Sequence, residues 1–161
     1  MQNIQTYLTM GGLVLLSLTS LRFNSAILET STADIENKVY LTAFSLADDL
    51  IEEIKTKSFD ENTKNFPVTN TSSLTAVNLM GPEYGETYTN YDDIDDFNNY
   101  TNLIDAPHAE GYNIACTVQY VNKDDQDVIN SVPTFYKKVT VTVTSPYMRT
   151  PITLSFIFTL K

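Results

Sequence analysis

Four carboxylates in five residues stand at Asp92, Asp93, Asp95 and Asp96, within the run Tyr91-Asp92-Asp93-Ile94-Asp95-Asp96-Phe97. Packed this densely they repel one another unless water solvates them or a cation neutralises them, and hard oxygen ligands of this kind suit Ca2+. The spacing is not that of an EF-hand loop. Counted from Asp92, the sixth position is Phe97 and not Gly, and the twelfth is Leu103 and not Glu. The competing reading is an acidic loop pinned to a domain by Ile94 and Phe97, with the Asp side chains capping turns. Calcium is the one cofactor the residues leave room for; otherwise none is expected.

No catalytic set assembles around other residues. His108 is the single histidine and follows Pro107 in a loop, where it is expected to be exposed. Cys116 has no base partner in a motif, and the chain holds neither a nucleophile elbow nor a phosphate-binding Gly loop. The protein is therefore not expected to be an enzyme. Cys116, the only cysteine, excludes an internal disulfide and falls in an alternating pattern that makes it a buried small apolar residue. Asn70-Thr71-Ser72 and Asn99-Tyr100-Thr101 match the N-glycosylation sequon, a weak signal in a chain so rich in Asn and Thr.

The elements that must position these residues begin with a helix. Residues 7–21 are uncharged and apolar, and without a Pro they run into a polar, heptad-like stretch at 24–57. From Leu28 the apolar positions recur at Ile35, Val39, Ala43, Leu46, Leu50 and Ile54, one face of a helix, while Glu29, Asp34, Lys38, Asp48, Glu52 and Lys55 occupy the other. That stripe reads as domain core, and the helix should end near Lys57 or Ser58 in a basic last turn. Gly11-Gly12 is its weak point, either a local unwinding site or a place where helices approach closely.

The loops come next. Residues 60–73 are polar with Pro67, residues 74–80 could form a short strand, and Gly81-Pro82 and Gly85 punctuate a second loop whose Tyr84, Tyr88, Tyr91 and Tyr100 make it aromatic as well as acidic. Three period-two strands follow at 112–122, 135–144 and 152–160. The first alternates Tyr112, Ile114, Cys116, Val118 and Tyr120. The second sets Val139, Val141 and Val143 against Thr140, Thr142 and Thr144. The third alternates Ile152, Leu154, Phe156, Phe158 and Leu160. Strands joined by short polar loops make an antiparallel meander with one buried face, and the helical stripe is its natural cover. The expected fold is α+β: a long N-terminal helix packed on a small antiparallel sheet. Residues 1–57 would be the helix, 1–23 its apolar assembly or membrane segment and 24–57 its amphipathic half; residues 58–161 would be a globular head.

The 161 residues allow one globular domain beside the helix. A net charge of −10, much of it in residues 83–127, makes nucleic acid an unsuitable partner, because phosphate binding needs a basic face. The apolar stretch has no basic residues before it and no small-x-small cleavage site after it, so it is not a secretory signal as it stands. A membrane span needs about 20 apolar residues. Roughly 15 precede Arg22, diluted by Thr6, Thr9, Ser17, Thr19 and Ser20. Such a segment can occupy a bilayer temporarily and then pack on copies of itself, its hydroxyls bonded back to helix carbonyls.

Three segments carry a resemblance. Ala43-Phe44-Ser45-Leu46-Ala47-Asp48-Asp49-Leu50-Ile51-Glu52-Glu53-Ile54-Lys55 resembles the "A…LA…LIEE(I/L)K" helix of minor-pilin-like proteins. Tyr91 to Phe97 resembles the "FDDVDDY" loop of the same group, and Tyr136-Lys137-Lys138-Val139-Thr140-Val141-Thr142-Val143 their first long C-terminal strand. With the apolar stretch carried into an amphipathic helix, the chain resembles the type IV pilin superfamily, pseudopilins included. The resemblance implies a structural subunit of an extracellular filament at the cell surface, held in the inner membrane before assembly and partnered by copies of itself. Ile4, Gln5, Tyr7, Leu8, Met10, Leu13, Val14, Leu15, Leu16, Leu18 and Leu21 would form the assembly core.

Two departures bear on this. The family's short basic leader ending in Gly does not precede the stretch, so the chain is expected to start at its mature end at Met1 or to use another export route. The family's Glu at the fifth mature position, which pairs with a neighbour's terminal amine, is Gln5 here, and an amide can hydrogen-bond but cannot form that ion pair. The rival expectation is a membrane-anchored surface or periplasmic binding module that holds a ligand with the acidic, Tyr-rich region at 83–112.

Overall fold

The computed structural model describes residues 2–160, and the chain divides into two compact units, residues 1–38 and 39–161. The proposed start of the mature chain at Met1 lies outside the described residues. A single helix, α1 (Gln2–Ile54), contributes to both units.

In the first unit α1 makes its own backbone bonds and little else. Its residues from Asn3 to Ile35 are all exposed. The hydroxyls do what an apolar setting requires: Ser17 donates to the Leu13 carbonyl at 2.8 Å, Thr19 to Leu16 at 2.9 Å, Thr30 to Ala26 at 2.9 Å and Thr32 to Leu28 at 2.9 Å. Each hydroxyl thereby spends its donor inside the helix. The helix runs unbroken through Gly11-Gly12, and a Cβ added at either would meet nothing within 4 Å, so this chain does not unwind there. An 18-residue window of α1 has a mean hydropathy of 1.3, apolar and long enough to cross a membrane. The helix continues past Arg22 and so supplies length that the apolar run alone lacks.

In the second unit the remaining turns of α1 become core. Val39, Ala43, Ala47, Leu50, Ile51 and Ile54 are buried, three and four residues apart along one face. The expected stripe needs correction at its start: Leu28 is 60% exposed and Ile35 55% exposed, so the core face begins at Val39. Past Ile54, Thr56 and Lys57 still donate to the Glu53 and Ile54 carbonyls, both at 3.0 Å, which explains why sequence placed the end three residues later.

That face packs with a four-stranded antiparallel sheet in the order β1 (Thr101–Ala106), β2 (Ala109–Tyr120), β3 (Tyr136–Thr144) and β4 (Ile152–Thr159). The α+β fold is as expected, and a long apolar N-terminal helix with a small antiparallel sheet is compatible with a pilin-like arrangement. Register places Cys116 opposite Val141 and Val118 opposite Val139, so the inward residues of β2 and β3 meet on one face. Phe156 on the edge strand departs from its expected inward place; it stays 38% exposed, with the Lys55 ammonium 4.2 Å from its ring centre.

Two elements differ from the sequence reading. Strand β1 was not expected. It pairs with β2 through a tight turn at Pro107-His108, where His108 adopts φ 77°; within β2, Gly111 adopts φ 70° beside a register irregularity, with Asp105 Oδ1 accepting its N–H at 2.8 Å. The short strand expected at 74–80 is absent. Two single 3-10 turns, Thr71–Ser73 and Val77–Leu79, stand there, and they still bury Leu74 and Met80. Asn70 Oδ1 takes the Ser72 N–H at 3.0 Å, and Asp60 takes the Thr75 N–H at 3.0 Å, so side chains satisfy the backbone that a ladder would otherwise pair.

Candidate functional site

Two features carry unusual chemistry, one in each unit. The first is the apolar segment of α1. All the side chains expected in the assembly core from Ile4 to Leu21, Gln5 among them, are exposed.

The second is a buried polar centre in the globular unit, built on the acidic loop. Ser58 donates to the Asp92 carbonyl at 3.0 Å and accepts from the Ile94 N–H at 2.9 Å, which stitches the loop to the segment leaving α1. Ile94 and Phe97 anchor it in the core as expected. Tyr88, Tyr91, Phe97 and Tyr100 pack as one aromatic group, with Tyr88 stacked on Tyr100 at 5.0 Å between ring centres.

The loop is closed by reciprocal caps. Asp93 Oδ1 accepts the N–H groups of Asp95 (2.7 Å) and Asp96 (3.2 Å), while Asp96 Oδ2 accepts those of Asp92 (2.9 Å) and Asp93 (3.1 Å). Asp93, Asp95 and Asp96 are buried, not solvated; Asp92 is exposed and pairs with Lys64.

The four aspartates that sequence grouped into one possible metal set therefore separate. Asp95 turns to Lys137, whose ammonium lies 2.6 Å from its Oδ1. Lys137 is fully buried. It also donates to the Phe59 carbonyl at 2.6 Å and to Asp60 Oδ2 at 3.0 Å, and it stands 4.5 Å above the Phe59 ring. The Tyr120 hydroxyl lies 3.1 Å from the same Asp60 oxygen. Burial works to raise Asp60, but Lys137 and the Thr75 and Asn62 N–H groups outweigh it and hold the carboxyl below its ordinary value. Burial pushes Asp95 up to about 6 against the pull of Lys137. It pushes Asp93 up to about 7, helped by Asp95 and Asp96.

Asp93 and Asp96 turn the other way, towards three glutamates. Carboxylate oxygens of Glu61, Glu83 and Asp93 all lie within 4.8 Å of one another, and so do those of Glu83, Glu86 and Asp96. Glu83 is exposed as a residue, yet its carboxyl end is desolvated and faces Glu86, Asp96 and Asp93, and it is pushed up to about 7. Glu86 Oε2 accepts the Glu83 N–H at 3.2 Å, which fixes the turn between Gly81 and Glu86.

Sequence reasoning missed Lys137, Asp60 and the glutamates. Lys137 did have a signal: it shares its parity in β3 with Val139, Val141 and Val143, so alternation aims it inward. Asp60 and Glu61 lie more than thirty residues before Asp93 in sequence, and no spacing rule links them or the nearer Glu83 and Glu86 to it. Of the remaining residues singled out, His108 is exposed, and Cys116 is buried with its thiol pushed up to about 12 by burial alone. Asn70 and Asn99 are both exposed in loops, Asn99 at φ 63°.

No protein-family model, no curated protein and no solved structure matches the chain.

Proposed function

We propose that the chain is a structural subunit of a pilin-like extracellular filament, assembled from copies of itself through the first part of α1 after a stay in a membrane. The observation that carries this reading is a row of uncovered apolar side chains. Ile4, Tyr7, Leu8, Met10, Leu13, Val14, Leu15, Leu16, Leu18 and Leu21 are each more than half exposed. A soluble chain rarely leaves so large an apolar surface bare. Covering one such side chain gives about 1.5–3 kcal/mol, so several per subunit hold a polymer without covalent links. Contacts between different patches on successive subunits yield an open helix when their rotation does not close into a ring. The hydroxyls bonded back into α1 suit both solvents, lipid first and neighbouring helices afterwards. Gln5 offers an amide hydrogen bond where the family it resembles uses a carboxylate.

The test is electron microscopy of native material beside Leu15→Asp and Leu16→Asp variants. Wild type is expected as thin helical filaments; each variant loses them while circular dichroism shows a folded globular unit. Normal filaments from both variants would sink the reading. A binding module that uses the acidic, Tyr-rich region draws less support. Tyr88, Tyr91 and Tyr100 are engaged with one another, and the cleft beside Tyr88 and Tyr100 holds only about 190 Å3, below the roughly 300 Å3 at which small-molecule pockets begin.

A further inference from the structure

We propose that Glu83, Glu86, Asp93 and Asp96, flanked by Glu61, form a calcium site that clamps the Gly81–Glu86 turn onto the acidic loop. The first ground is distance. Two oxygens that each sit about 2.4 Å from one ion are at most about 4.8 Å apart. The triad of Glu61, Glu83 and Asp93 and the triad of Glu83, Glu86 and Asp96 each meet that limit and share Glu83, so an ion held by either triad joins the Gly81–Glu86 turn to the acidic loop.

The second ground is independent of the clustering. Asp93 and Asp96 are buried, at 0% and 1% exposure, and each spends one carboxylate oxygen on backbone N–H groups. The other oxygen of each, Asp93 Oδ2 and Asp96 Oδ1, meets no donor among the described residues. A buried carboxylate oxygen with no donor is costly. The Asp95 oxygens, also without a hydrogen-bond donor, lie beside the Lys137 ammonium, whereas Asp93 and Asp96 face glutamates, which when ionised are acceptors and cannot satisfy them. A cation does.

The charged groups around the site agree. Lys64 is the cation at its edge, and it is already engaged by Glu61 and Asp92; Lys137 is turned to Asp60 and Asp95. All donors are hard oxygens, drawn from two loops with an exposed glutamate at the rim. That irregular set suits calcium, which accepts six to eight oxygens in flexible geometry, better than magnesium, which demands a near-ideal octahedron and sheds water reluctantly.

The experiment uses the full chain in detergent, stripped with a chelator and titrated with calcium chloride or magnesium chloride by calorimetry and thermal melting. Calcium at one hundredfold above its Kd is expected to raise Tm by roughly 5–10 °C, and magnesium by clearly less. Glu83→Gln, at an exposed position that does not threaten folding, and Asp96→Asn should each weaken calcium binding at least tenfold. Asp92→Asn, which alters a side chain paired with Lys64 and keeps the backbone N–H that Asp96 accepts, should stay within twofold of wild type. The absence of both heat and a Tm change at millimolar calcium overturns the proposal, whether or not acidification stabilises the chain. Undiminished binding by Glu83→Gln overturns it too, and an equal response to magnesium overturns the calcium assignment.

Discussion

Leu28 and Ile54 belong to one helical stripe, yet Leu28 is 60% exposed and Ile54 fully buried. Both are aliphatic and both belong to the apolar stripe that the spacing marks out along α1. What differs is the company each keeps. Within residues 39–161 the sheet supplies Val139, Val141, Tyr112 and their neighbours to cover the helix, and among the described residues before Val39 no side chain is buried. Periodicity reports which side chains share a face. It does not report whether a partner for that face exists in the same chain. An apolar face without an internal partner is the mark of a segment completed by another molecule, and that contrast underlies the proposed assembly.

The comparison can be broken at several places. The largest effect on folding is expected from Lys137→Ala. It strands Asp60 and Asp95 as buried carboxylates without their cation, and removing one member of a buried ion pair costs about 3–5 kcal/mol; chemical denaturation of the chain measures it. A change under about 1 kcal/mol would mean the centre hydrates or takes up protons at little cost.

Next comes the stripe itself. Ile54→Ala should destabilise the globular unit by about 2–5 kcal/mol, and Ile35→Ala in the same helix by no more than about 0.5 kcal/mol in the detergent-dispersed chain. Equal losses would erase the boundary drawn at Val39.

The smallest effect is the pH profile. Asp93 and Asp95 bind protons more tightly folded, at about 7 and about 6, than at their ordinary 3.8. Between those values the folded state holds more protons than the unfolded state, so stability falls as pH rises. Asp93 feels Asp95, Asp96 and Lys137, while Asp95 feels Lys137, Asp60 and Asp96, and the two steps overlap. Chelated protein should therefore melt higher at pH 5.5 than at pH 7.5. Asp60 runs the other way: its contribution is present above 3.8 and disappears as pH falls through its lowered folded value. A flat profile between pH 5.5 and 7.5 would show that the buried aspartates are ionised throughout.

The sheet was legible because alternation is a local property: the inward residues of β2 and β3 could be named from sequence alone. Strand β1 was not. Thr101-Asn102-Leu103-Ile104-Asp105-Ala106 has no clean alternation, and it is a strand because β2 is long enough to pair on both sides. The expected strand at 74–80 failed for the converse reason, since Asp60 captures the Thr75 N–H and a 3-10 turn at Val77–Leu79 follows it. In the acidic loop the anchors Ile94 and Phe97 and the capping role of the aspartates were readable from their types. The division of labour among the aspartates was not, because it depends on Lys137, Lys64 and the glutamates, which reach the loop only after folding.

Lys137 has a consequence for how the chain finds its fold. In β2 and β3 the apolar pattern alone is nearly self-similar, with Val139, Val141 and Val143 interchangeable in a two-residue slip against Ile114, Cys116 and Val118. Such a slip keeps every valine facing inward, so apolar burial alone discriminates poorly against it. It does move the ammonium of Lys137 by about 7 Å, out of reach of Asp60 and Asp95 and into a layer of hydrocarbon. The lysine thus acts as a single tooth in an otherwise smooth rack: misaligned pairings strand its charge, and only one alignment lets it mesh.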